Sequence, residues 1–92
     1  MDVGYVWDQE KYEKTQEKHS INFAEVVSAM EDPTSLDEQE FRNNEERWVC
    51  VGETITERII VVIYNNDEYP IYRIITAFEA EGRWLDEYKA TR

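Results

Sequence analysis

The chain has 92 residues, 41% hydrophobic and 13% aromatic, with 10 lysines and arginines against 21 aspartates and glutamates. That size and composition exclude wholesale disorder and predict one domain, residues 1–92, with a small core. A formal charge of −11 excludes a general affinity for nucleic acid, which rests on cations displacing counterions, so a nucleic-acid site has to be a local basic patch and a basic protein partner suits the field better. No run approaches the ~18 to 20 apolar residues of a membrane span, and the N-terminus carries no signal-peptide pattern. The single cysteine, Cys50, lies in an apolar stretch and has no internal partner, which predicts an inert buried thiol in a reducing cytoplasm.

The first segment runs over residues 5–31. "YVW" predicts a short strand, and Asp8 is a good N-cap for a helix over 8–19. On that helix Lys11, Lys14 and Lys18 form a basic stripe, Glu10, Glu13 and Glu17 a neighbouring acidic one, and Tyr12, Thr15 and His19 the face toward the core. Asn22 followed by Glu25 makes a capping box for a second helix over 22–31, whose apolar face is Phe23, Val26, Val27 and Met30 and which Asp32-Pro33 ends.

Residues 33–45 are acidic with few apolar side chains and predict a mobile loop. Three β-rich runs follow, over 46–52, 58–64 and 71–77, joined by "ETITE" and "NNDEYP". Such short links predict hairpins and antiparallel neighbours, and "RIIVVIY", apolar almost throughout, predicts a central strand covered on both faces. Thr76 and Glu79 read as a capping box opening a helix over 79–90, with Ala80, Trp84, Leu85 and Tyr88 on one side. Gly82 inside that helix costs about 1 kcal/mol relative to alanine. The class is therefore α+β: a small antiparallel sheet of three or more strands packed by helices.

Specific words in this order resemble the BrnT family of toxins from bacterial type II toxin–antitoxin pairs. "VWDQEKYEKTQEKHSINFAEVVSAMEDP" is similar to the family's opening, roughly F-x-W-D-x-x-K, then K-H-G-I-S-F-x-E-A and a D-P. Trp7, Asp8, Lys11, Lys18, His19, Phe23 and Asp32-Pro33 match. "EERWVCVG", "RIIVVIY" and "RIITA" resemble the family's later strands. The resemblance implies a fold similar to RelE-type ribonucleases, cleavage of RNA, and a BrnA-like antitoxin partner with a ribbon-helix-helix DNA-binding part.

Metal-free RNA cleavage needs a base for the 2′-OH, cations for the phosphate and an acid for the leaving oxygen. At matching positions the resemblance implies His19, Arg73, Thr76 and Arg83 as catalytic residues and Lys11, Lys18 and Arg47 as RNA-binding residues, with no metal and no cofactor. Each has a structural alternative. His19 also suits a half-buried histidine closing a helix, Arg73 an ion pair with Asp8 or a glutamate, and Thr76 a helix cap. The lysine stripe also suits a solvated face, and Arg47 a pair with Glu45 or Glu46. No clustered Cys/His set, phosphate-binding glycine loop or nucleophile elbow competes.

The chain departs from the family after its last strand. Where the family continues serine–alanine–arginine–lysine into a strongly basic helix, this chain reads Thr76, Ala77, Phe78, Glu79 and keeps only Arg83 of the basic set. Phenylalanine cannot offer a phosphate the forked donors of arginine. Phe78, Trp84 and Leu85 are expected to pack in the core or an interface, and RNA cleavage is expected to be weak. The alternative is a non-enzymatic protein-binding module of the same fold. Trp84 and Phe41 predict an apolar surface that a partner covers, with self-association in its absence.

Overall fold

The computed structural model describes residues 3–42 and 44–91. Its elements run β1 (Gly4–Trp7), α1 (Gln9–His19), α2 (Phe23–Met30), β2 (Leu36–Arg42), β3 (Glu45–Glu53), β4 (Ile59–Glu68), β5 (Ile71–Glu79) and α3 (Gly82–Ala90). One five-stranded sheet has the order β1-β5-β4-β3-β2. The chain-sequential strands β2 to β5 pair antiparallel, and β1 adds to β5 in parallel. The apolar run of β4 takes the central place, and both hairpins form.

Local signals start the first two helices as the sequence predicts. The Asp8 carboxylate accepts from the Lys11 amide at 3.2 Å, and the Asn22/Glu25 box is reciprocal at 2.9 and 3.2 Å. Two expectations fail. Residues 33–45 are not a loop, because Leu36–Arg42 forms the edge strand β2 along β3. The capping box at Thr76 does not form either. Register with β4 holds β5 extended through Glu79, opposite Ile60, and Ala80 still donates its amide to Ile59. The helix begins only at Gly82, after an Glu81 N-cap with no side-chain cap bond. Gly82 has φ +54°, so it is the turn into α3 rather than a defect within it.

Alternation along the strands divides the core between the two sheet faces. On one, Cys50, Ile60, Val62, Tyr64, Ile74 and Ala77 meet Ile21 and the α2 residues Val26 and Ala29. On the other, Val49, Val51 and Val61 are buried with Tyr88 and Ala80, and Phe78, Trp84 and Leu85 pack around them. Trp84 and Leu85 thus hold α3 to the sheet, as expected, and Cys50 is buried.

Asp32 ties the two layers together. Its carboxylate accepts from the Glu53 amide at 2.9 Å, from the amide and hydroxyl of Thr34, each at 2.9 Å, and from the hydroxyl of the fully buried Tyr88. Burial alone would raise this carboxyl's pKa. The donors from Tyr88, Glu53 and Thr34 outweigh it and bring the value from 3.8 down to about 2. A depressed folded-state pKa means stability that is present above the ordinary value and lost as pH falls through the folded one. Wild type is therefore expected to exceed Asp32→Asn by about 1 to 2 kcal/mol at neutral pH, after discounting for solvent screening. That difference should vanish as pH falls from about 4 to about 2 in urea unfolding series, and a difference independent of pH would refute the assignment.

Candidate active site

A β-bulge builds the site. Ile63 pairs with Thr76 and Tyr64 with Ile74, so Ile75 is the extra residue on β5. A bulge of this kind turns two successive side chains to one face. Ile75 and Thr76 both line a cleft of about 340 Å³ against α1, together with Lys11, Lys14, Lys18 and His19. The lysines are exposed, Tyr12 and His19 are half-buried, and Thr15 beneath them is buried, so the third face of α1 is the packed one, as its spacing predicts. Glu17 also lines the cleft.

Thr76 is shared with a second pocket of about 190 Å³ on the α3 face, lined by Glu40, Arg47, Ile63, Phe78 and Trp84. The Phe78 ring lies 6.3 Å from the His19 ring, between the two recesses. Arg47 donates through Nη2 to Glu45 at 3.1 Å, but its buried Nε has no hydrogen-bond partner. A third recess continues from Arg47 and Ile75 past Glu45, Glu46 and Asp67, where the surface turns acidic.

The end of α1, and hence His19, is fixed by an arginine that the sequence did not single out. Arg58 donates to the carbonyls of Ser20 at 2.8 Å and His19 at 3.2 Å. It also pairs with the buried Glu25 at 3.2 Å and with Glu79 at 2.6 Å. Ser20 adopts a left-handed φ of 53° at the C-cap, which turns the chain toward α2.

Of the predicted site residues, His19, Lys11, Lys18 and Thr76 meet in the first cleft, and Arg47 joins through the pocket that shares Thr76. Thr76 is a strand residue there, not a helix cap. Arg73 lines neither recess; it is half-exposed and pairs with Glu68 at 2.9 Å, the glutamate alternative. Arg83 lines neither, although its guanidinium lies 4.6 Å over the Trp84 ring. It pairs with Glu87 at 3.1 Å and Glu38 at 3.3 Å, and bonding to Glu87 raises its pKa. Glu79, next to Phe78, faces Arg58 rather than the site. Among the described residues, no group of three or more His, Cys, Asp or Glu side chains could hold a metal ion, and no helix is long and apolar enough to cross a membrane.

The arrangement offers one imidazole, several cations and a hydroxyl on a concave surface, which are the parts of general acid–base attack on a phosphodiester. A family profile described as the ribonuclease toxin BrnT of type II toxin–antitoxin systems matches residues 7–83. Among solved structures, the crystal structure of the Brucella abortus ribonuclease toxin BrnT is similar, with a TM-score of 0.66 at 20% identity, covering 88% of this chain and 100% of that one. That likeness is one of fold. No curated protein matches the chain.

Proposed function

The chain belongs to the BrnT family of ribonuclease toxins of type II toxin–antitoxin systems, and on that premise we propose that it cleaves RNA weakly, without a metal, at the cleft between α1 and the β5 bulge. The single observation that carries this reading is the meeting of His19, Lys11, Lys18 and Thr76 around one recess, with Arg47 in the adjoining one. His19 takes the proton of the ribose 2′-OH, which attacks the adjacent phosphorus. Lys11 and Arg47 hold the phosphate oxygens as charge builds, and Thr76 donates a hydrogen bond to the same group. Lys18 returns a proton to the leaving 5′-oxygen, so that a cyclic phosphate and a free 5′-hydroxyl result.

Toxins of type II systems pair with an antitoxin. The partner proposed here is BrnA-like, with a ribbon-helix-helix DNA-binding part, and the setting is the cytoplasm. Phe41, 69% exposed on the edge strand β2, supports a covered surface there. Trp84 does not, because it is packed on the sheet.

The test is cleavage of a long single-stranded RNA at excess protein, with EDTA present. Slow cleavage is expected from the wild type, reduced by about 10²-fold or more in His19→Ala, the scale of a lost general base. Cleavage that disappears with EDTA, or that His19→Ala leaves intact, would overturn the assignment.

A further inference from the structure

On the sheet face opposite Thr76 and Phe78, rings from four adjacent strands form a further concavity that the cleavage site does not use. Trp48 on β3 stacks on Tyr64 of β4 with centroids 6.5 Å apart, and Tyr64 meets Tyr72 of β5 edge-on at 5.3 Å. Tyr72 in turn lies 5.7 Å from Tyr5 of β1. With Asp37 of β2 and Met30 of α2, these rings line a pocket of about 440 Å³.

Two carboxylates accompany the rings. Asp37 accepts from the Tyr64 hydroxyl at 3.1 Å, and Glu31 from the Tyr5 hydroxyl at 3.5 Å. Among the described residues neither has a cationic partner, whereas Glu25, Glu38, Glu45, Glu68, Glu79 and Glu87 all do. Burial, and then the neighbouring carboxylates, push the Tyr5 phenol up to about 12 and the Tyr64 phenol upward as well, so both rings stay neutral. Neutral aromatic faces carry a negative quadrupole, and beside unpaired carboxylates they attract a cation and repel an anion.

The surroundings specify the source of that cation. Among the described residues β2 pairs with β3 alone, which leaves its outer backbone edge open to an extended segment, and Asp37 and Glu38 stand exposed along it, Glu38 also meeting Arg83. An extended chain bearing several positive charges uses both the pocket and this acidic edge, which a small free cation cannot. A second copy of this chain, itself at −11, is repelled. We infer that the Tyr5–Trp48–Tyr64–Tyr72 pocket, with Asp37 at its wall, is a socket for one lysine or arginine side chain of a basic partner segment. The inference deepens the antitoxin partnership proposed above by naming the surface it would use, and in that respect rests on it.

The probe is a short peptide of alternating alanine and lysine, titrated into isotope-labelled protein and followed by NMR. Saturable shifts of the Trp48 indole and of the Tyr5 and Tyr72 rings are expected. Affinity should fall about fivefold or more in Asp37→Asn and in Tyr72→Leu, the scale of one cation–π or charge contact. The corresponding alanine–glutamate peptide should not bind. Shifts confined to other surfaces, binding that ignores both variants, or an equal response to the acidic peptide would overturn the socket. Tetramethylammonium binding as tightly as the lysine peptide would overturn the assignment to a chain segment. The probe carries no antitoxin sequence, so failure of the antitoxin reading leaves this test standing, and failure of the socket leaves RNA cleavage at the other face untouched.

Discussion

Phe78→Arg is expected to raise RNA cleavage by about 10²-fold, the size of one charge-assisted contact to a developing phosphate charge. Phe78 lies on the α3 face between Arg47 and His19, 6.3 Å from the histidine ring. A guanidinium grown from that position reaches the wall that Thr76 shares with the lysine-lined cleft. The ring now there contributes packing but no donor. Adding Glu40→Gln removes a negative charge from the same pocket and should raise the rate further. Glu79→Lys, the other change that the family pattern suggests, is a poor companion, since Glu79 is bound to Arg58 at 2.6 Å and its loss loosens the end of α1. The field of 11 surplus negative charges should make added salt relieve repulsion of the RNA, opposite to the trend of a basic nuclease. A folded Phe78→Arg protein that cleaves no faster than wild type would show that the missing arginine is not what limits this chain.

The parts of this fold that were legible in sequence are those where side chains decide the local structure. Asp8, Asn22 and Glu25 cap helices through their own atoms, and the apolar side chains of β4 demand cover on both faces. β2 is not legible because its acidic residues read as a loop: backbone pairing with β3 holds it extended, and Asp37 and Glu38 meet the Tyr64 hydroxyl and Arg83 only once the fold brings them together. The start of α3 is not legible because Thr76 and Glu79 satisfy a local capping pattern, yet pairing with Ile63 and Ile60 of β4 holds the same residues extended. The candidate site was legible as a set of residue types, and its membership was not. The Ile75 bulge, which turns Thr76 toward His19, leaves no signature in "RIITA". Arg73 and Arg83 are drawn off by glutamates whose proximity only the fold creates. Arg58 looked like the first residue of an apolar strand, and its four-way role depends on carbonyls and carboxylates from three other segments. The aromatic socket was invisible for a similar reason, since its rings come singly from four strands.

Gly52→Ala is expected to destabilise the fold by about 3 kcal/mol or more. A Cβ at Gly52 would stand 2.1 Å from the Ala29 carbonyl oxygen and 2.9 Å from its carbon, both backbone atoms of α2. Backbone cannot swing aside as a side chain does, so α2 would have to lift from β3. That displacement would not stay local. Asp32 follows α2 directly and holds both the Glu53 amide and the Tyr88 hydroxyl, so moving it loosens α3 and with it the Trp84 wall of the α3-face pocket. The other two glycines grade the prediction. A Cβ at Gly4 meets only Ile71 Cγ1 at 3.8 Å, an ordinary contact, so Gly4→Ala should be close to neutral. Gly82→Ala has open space but a φ of +54°, and should cost about 1 kcal/mol. For a domain of this size, 3 kcal/mol corresponds to a fall in Tm of roughly 12 to 24 °C. Thermal unfolding of the three variants should therefore give the order Gly4→Ala, Gly82→Ala, Gly52→Ala from most to least stable. A Gly52→Ala protein that melts with the wild type would mean that α2 does not rest on the sheet backbone at this point.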